Sequence, residues 1–137
     1  MGASAYLNLL LNGWETASKA HFVTMLFAAG GASAFAPGFL LARLLHGKRG
    51  VEASFAAAFL SFAVTTVGAT AAFYALHYRF YYAQWHAEAF TMTWMFQFAF
   101  TALAALYQFA VLGLRLFFPF GFIALFGVAL WFARRPR

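Results

Sequence analysis

From Ala20 to Ala133 the chain is almost continuous hydrocarbon, interrupted only by short clusters such as residues 43–49 and the run Tyr78, Arg79, Phe80, Tyr81, Tyr82. A helix needs about 20 apolar residues to cross the ~30 Å of a bilayer core, and several uncharged runs here approach or exceed that length. A soluble core of this size would alternate such runs with polar faces; this chain is 65% hydrophobic and 9% charged. The sequence therefore predicts an all-α integral membrane protein. With 137 residues the spans use nearly the whole chain, leaving one membrane domain over residues 19–137.

Four spans are expected, at about residues 20–42, 51–76, 87–114 and 116–133. The last is short, either a fourth transmembrane helix or a re-entrant segment. Before them, residues 1–18 place Tyr6, Leu9, Leu10, Gly13, Trp14 and Ala17 at spacings of three and four, the pattern of an amphipathic helix lying at the membrane interface. No Lys or Arg occurs in those eighteen residues, so the charged front of a cleavable signal is missing and the first span itself is expected to direct insertion.

Charge assigns orientation, because cytoplasmic loops are enriched in Lys and Arg. With four crossings, Lys19, Arg79, Arg134, Arg135 and Arg137 fall on one side and Arg43, Lys48, Arg49 and Arg115 on the other, no useful bias. If the last segment returns to its own side, the division becomes seven against two. The formal charge of +6 is spread over both membrane faces, where anionic headgroups account for it. Nucleic-acid binding has no other support.

Inside the spans three patterns stand out. Pro37 and Gly38 sit within the first; Pro37 cannot donate to the Ser33 carbonyl, so a kink or helix break is expected there. In the second, Ser54, Ala58, Ser61, Thr65, Gly68, Ala72 and Ala75 repeat at alternating spacings of four and three. That nearly bare face suits close helix packing. In the third, Thr93, Gln97, Thr101 and Gln108 form an intramembrane polar face. Amide groups there need partners within the bundle, at a subunit contact or in a hydrated cavity.

Histidines are the remaining chemical candidates. His21 begins the first span, His77 ends the second, and His86 with Glu88 begins the third, so all four fall near one membrane face, with Glu15 close in sequence. Such a set could hold a metal, ligate haem or relay protons, although the surrounding Tyr74, Tyr78, Tyr81, Tyr82 and Trp85 also form an aromatic interfacial belt. No cofactor is required by the sequence. Cysteine is absent, which removes disulfides and thiolate sites; no phosphate loop, nucleophile elbow or paired intramembrane carboxylates occur. Small multidrug transporters share the size and hydropathy, but their first-span carboxylate has no counterpart because Glu15 precedes the span.

These patterns lead to an accessory or assembly subunit of a larger membrane complex rather than an enzyme. Its expected partners are membrane lipids and other membrane subunits or a second copy of itself, in a plasma or inner membrane. A homo-oligomeric transporter or channel for a lipid-linked or hydrophobic substrate is the alternative, and a histidine-based metal, haem or proton-relay protein the second.

Overall fold

The computed structural model describes residues 1–13, 16–46 and 50–134. Helices account for nearly all of them, with no strand among the described residues. Helix α1 is Gly2–Asn12, α2 is Ala17–His46, α3 is Val51–Ala83 and α4 is Met92–Gln108. A wide π-helical turn, Phe109–Gly113, and a tight 3-10 turn, Leu114–Phe117, continue α4, and α5 is Phe120–Ala133. Three helical stretches, Ala17–His46, Val51–Ala83 and Met92–Phe117, are long and apolar enough to cross a membrane. The fourth is not: the fourteen residues of α5 rise about 21 Å, short of a ~30 Å core.

The α2–α3 pair is the spine of the fold, and small residues on both helices build it. On α2 the buried positions Gly30, Ala34, Gly38 and Ala42 recur every four residues. Facing them on α3 are Ser54, Ala58, Phe62, Thr66 and Thr70, also every four. A Cβ added at Gly30 would stand 2.8 Å from Thr70 Cα and closer still to its hydroxyl, and one at Gly38 would stand 2.7 Å from the Phe62 ring and from Thr65 Oγ1. Side chains have thus been removed where the backbones approach, the arrangement that lets membrane helices associate through van der Waals contact when no hydrophobic effect operates between them. The buried hydroxyls cost little, since Ser54, Ser61 and Thr70 each donate to the carbonyl four residues earlier, on Gly50, Ala57 and Thr66.

The small-residue face expected on α3 is seated only in its first half. Ser54, Ala58 and Ser61 are buried, Thr65 is half-buried, and Gly68 and Ala72 are exposed. Gly68 has nothing within 4 Å of where a Cβ would lie. The reason is geometric. A four-three repeat drifts by about 20° per heptad against a straight helix, whereas α2 follows the row of every fourth residue and leaves the seven-residue stripe behind.

The break expected at Pro37 is a further correction. Helix α2 runs unbroken through that residue. Pro37 itself is exposed, so the missing hydrogen bond faces outward while Gly38, the next residue round the helix, is clamped against α3.

The helical rod is broken instead between Phe117 and Phe120, at a Phe118–Pro119 peptide that is cis. Beyond the break, α5 runs parallel to the second half of α2. Gly121 lies by Met1, Leu125 and Ala129 pack with Ala58 and Phe62, and Phe132 meets Phe39 and His46 near the α2 terminus.

Helix α1 lies lengthwise against the first half of α2 in the antiparallel sense. Gly2 abuts Thr24 and Ala28, Met1 reaches Gly31, and Tyr6 stacks on His21. Its buried face, Gly2, Ser4, Ala5 and Leu9, belongs to the protein core, which separates it from a helix held only by a lipid surface. Gly13 ends α1 in the left-handed conformation (φ 59°), its N–H returning to the Leu9 carbonyl at 3.1 Å; glycine adopts that geometry without a Cβ penalty. Trp14 and Glu15 lie outside the described residues.

Helix α1 also repairs the broken rod. Ser4 Oγ donates to the Leu116 carbonyl at 2.8 Å and accepts the Gly121 N–H at 3.2 Å. Asn8 Nδ2 donates to the Phe118 carbonyl at 2.6 Å and to its own Ser4 carbonyl at 3.0 Å. Backbone groups freed inside hydrocarbon have no water to turn to, and two polar side chains of the first helix replace it.

Candidate functional site

A cavity of about 290 Å³ opens where α1, α2, α3 and the irregular turn 109–116 meet. Its walls are mostly hydrocarbon, from Leu9, Val23, Leu26 and Leu116, and three polar side chains reach it: Tyr74, Gln108 and Arg115. Mostly apolar walls with a few convergent polar groups are the usual make-up of a small-molecule site.

Each polar group is placed by an identifiable local device. Tyr74 stands on α3 and donates its hydroxyl proton to Gln108 Oε1 at 3.0 Å. That bond joins the end of α4 to α3 and explains how an amide of the expected polar face is accommodated. The π turn that follows shifts the helical register, a feature often found at functional sites. It buries Phe109, whose ring packs at 6.2 Å from Phe27 and 6.0 Å from Tyr74. Gly113 makes room for that ring, since a Cβ there would stand 2.6 Å from it. Arg115 sits in the tight turn, with Nε donating to the Leu112 carbonyl at 3.4 Å. Among the described residues no carboxylate lines this cavity.

The rest of the polar face serves the α3–α4 connection. Gln97 Oε1 accepts the Ala87 N–H at 2.8 Å, and Thr101 Oγ1 donates to the Gln97 carbonyl. Thr93 is exposed. Arg79 Nη1 meets His86 Nδ1 at 2.8 Å; because a guanidinium can only donate, Nδ1 is the acceptor and the ring proton resides on Nε2. That proton faces Thr101 Oγ1 at 3.2 Å. The Arg79 guanidinium also lies over the Phe98 and Trp94 rings, at 4.9 and 5.4 Å. A wider basin of about 670 Å³ lies here, lined by Trp85, His86, Thr93, Phe96, Gln97 and Thr101. It is more open to the outside, and its polar groups are mostly engaged with one another, so the smaller cavity is the better ligand site.

The histidines are dispersed rather than gathered. His21 stacks on Tyr6, His77 lies 4.2 Å from the Phe22 ring, and His86 is held by Arg79 and Thr101. Among the described residues no three His, Asp or Glu side chains come close enough to hold a metal. The expected set of His21, His77, His86 and Glu88 therefore does not form one centre, and Glu15 lies outside the described residues. At the other end of the bundle His46 packs edge-on to Phe132 at 5.7 Å, its Nδ1 buried without a hydrogen-bond partner among the described residues.

Two features that hold the elements around the site together were missed in the sequence. The α2 repeat Gly30, Ala34, Gly38, Ala42 was visible as small residues at spacing four. The pairing of Ser4 and Asn8 with a break more than a hundred residues away carried no local signal. Comparison with known proteins places no relative beside this chain: no family model, no curated protein and no solved structure matches it.

Proposed function

We propose that this protein is an accessory or assembly subunit of a larger membrane complex, acting through the outer face of its third apolar stretch. The observation that carries this reading is the uneven burial of the three long helices. Within their most apolar stretches 33% of α2 and 28% of α3 are buried by the chain itself, against 11% for Met92–Phe117. Phe96, Phe100, Leu103 and Tyr107 stay exposed along it, and aromatic residues concentrated on one face are a frequent feature of protein contacts. Purification from the native host in a mild detergent, followed by mass measurement of the intact complex, tests the reading. Unrelated subunits at fixed stoichiometry are expected; a monomer or a homo-oligomer alone would overturn it.

The cavity beside Tyr74, Gln108 and Arg115 favours a second reading, in which the protein binds or moves a hydrophobic or lipid-like substrate. Apolar walls with a few polar groups suit an amphiphile.

Orientation follows under either reading. Arg43 and Arg134 adjoin the end of the bundle where α2 and α5 finish, with Lys48, Arg49, Arg135 and Arg137 next to them in the sequence, while Lys19 and Arg79 belong to the opposite end. The positive-inside tendency assigns the first end to the cytoplasm. Because the chain has no cysteine, single cysteines at Ser18 and Gly50 would report their sides by labelling with an impermeant thiol reagent, and Gly50 labelled from outside would reverse the assignment.

A further inference from the structure

We infer that the connection between α3 and α4 is a pH-operated clamp: Arg79 and neutral His86 hold the first half of α4 against α3, and protonation of His86 releases it. Which compartment's pH it reads follows from the orientation proposed above. The switch itself depends neither on that assignment nor on the accessory-subunit reading.

The geometry leaves the His86 ring no room for a second proton. Its Nδ1 accepts from Arg79 Nη1 at 2.8 Å, and its Nε2 faces Thr101 Oγ1 at 3.2 Å. A guanidinium has donors only, so a proton placed on Nδ1 turns the Arg79 bond into N–H groups of two cations pointed at each other. The contact with Thr101 survives, because an imidazolium donates through Nε2 as well. The Arg79 side is the one that gives way.

What Arg79 releases is the packing of α4. Its guanidinium lies over the Phe98 and Trp94 rings at 4.9 and 5.4 Å, so one α3 side chain touches both the connection and two successive turns of α4. At the other end of α4 the Tyr74–Gln108 bond and the packing of Phe109 on Tyr74 join the helix to α3 through groups that keep their charge near neutral pH. Acid therefore swings the Met92 end of α4 outward about a fixed Gln108 end. Protons reach the ring through the basin of about 670 Å³ that His86 lines.

The surroundings single out His86. The sequence Met92–Gln108 holds no Asp, Glu, Lys, Arg or His, and α4 presents neutral Gln97 and Thr101 at this site. The other ionisable groups at this end of α3 are His77, set against Phe22, and Tyr78, Tyr81 and Tyr82, whose rings pack on one another. Glu88 follows two residues later in the connection. Histidine is the side chain that ordinarily changes charge between about pH 5 and 8, and the clamp takes the neutral ring, so it is closed at the upper end of that range and opens toward the lower.

Paired spin labels test the clamp, since the chain has no cysteine of its own. Phe80→Cys with Met95→Cys places a pair beside the clamp, and Leu76→Cys with Leu106→Cys places a pair beside the fixed end, all at exposed positions. In detergent-purified protein, pulsed electron resonance is expected to give one distance for the first pair at about pH 8 and a longer population at about pH 5, with the second pair and the helix content by circular dichroism unchanged. His86→Gln offers Arg79 an oxygen and Thr101 an amide but takes no proton, and should keep the alkaline distance throughout. Arg79→Met removes the opposing cation and should make the first distance indifferent to pH. An unchanged first distance in the wild type, a lengthening that persists in either variant, or an acid-driven loss of helix or change at both pairs alike would overturn the clamp.

Discussion

Replacing Gly30 by alanine tests the spine of the fold with a single methyl group. The added Cβ would stand 2.8 Å from Thr70 Cα and nearer still to Thr70 Oγ1. Ordinary contact begins near 3.4 Å, so the α2 and α3 backbones must separate by at least about 0.6 Å at that level. The hydroxyl cannot simply rotate away, because it donates to the Thr66 carbonyl at 2.7 Å. A gap of 0.5–1 Å forfeits about a quarter to a half of each van der Waals well along the contact, and overpacking of this kind costs about 1–3 kcal/mol. Alanine also gains roughly 0.8–1 kcal/mol over glycine in helix propensity, so the measured loss understates the clash. Gly68→Ala supplies the correction, since it carries the same propensity gain on the same bundle with nothing within 4 Å of its new methyl group. The difference between the two variants in reversible unfolding by denaturing detergent should therefore be about 1–3 kcal/mol, with Gly30→Ala the less stable. Equal stability would refute the claim that bare backbone at Gly30 holds α2 to α3.

Ser4→Ala leaves the Leu116 carbonyl and the Gly121 N–H without their shared hydroxyl, a loss of about 1–3 kcal/mol, and hydrogen exchange at Gly121 should accelerate; unchanged exchange would disprove the bridging role. Gln108→Leu removes the acceptor of the Tyr74 hydroxyl and should cost about 0.6 kcal/mol, near the average for hydrogen bonds between membrane helices. A loss above about 2 kcal/mol in the same unfolding assay would show that more than this one bond had been removed. Pro37→Ala should be neutral or mildly stabilising, because α2 is already continuous through residue 37 and regains a donor toward the Ser33 carbonyl; a loss of stability would mean that proline shapes the helix.

The membrane character and the three long apolar helices were legible from hydropathy alone, because length and lack of charge are local properties of the chain. Helix breaks were not. Pro37 and Pro119 both interrupt apolar runs, and what separates them is what lies opposite: the Phe62 and Thr65 side chains of α3 clamp Gly38, while Ser4 and Asn8 wait beside Leu116 and Phe118. Such partners are remote in sequence, so proline alone could not rank the two sites. The α3 stripe was read at a period of 3.5 residues and the packing follows the row of every fourth residue, which is why Ser54 and Ala58 are seated while Gly68 and Ala72 are left outside. At the candidate site Gln108 could be marked as a polar group needing a partner. Tyr74 and Arg115 looked like a belt aromatic and a span-ending charge, because the irregular turns that bring them to one cavity have no composition of their own.

The hydroxyl of Ser4 and the amide of Asn8 have a meaning for biosynthesis. The groups they satisfy belong to residues 116–121, which leave the ribosome more than a hundred residues after Ser4 and Asn8. Until the two meet, the final segment carries bare carbonyls and an N–H that hydrocarbon cannot solvate, so it has reason to linger at the watery exit of the insertion machinery. Helix α1 thus acts as a latch set in place early and closed by a segment made much later. Removing α1 would leave every span in place and take the partners away from the broken segment.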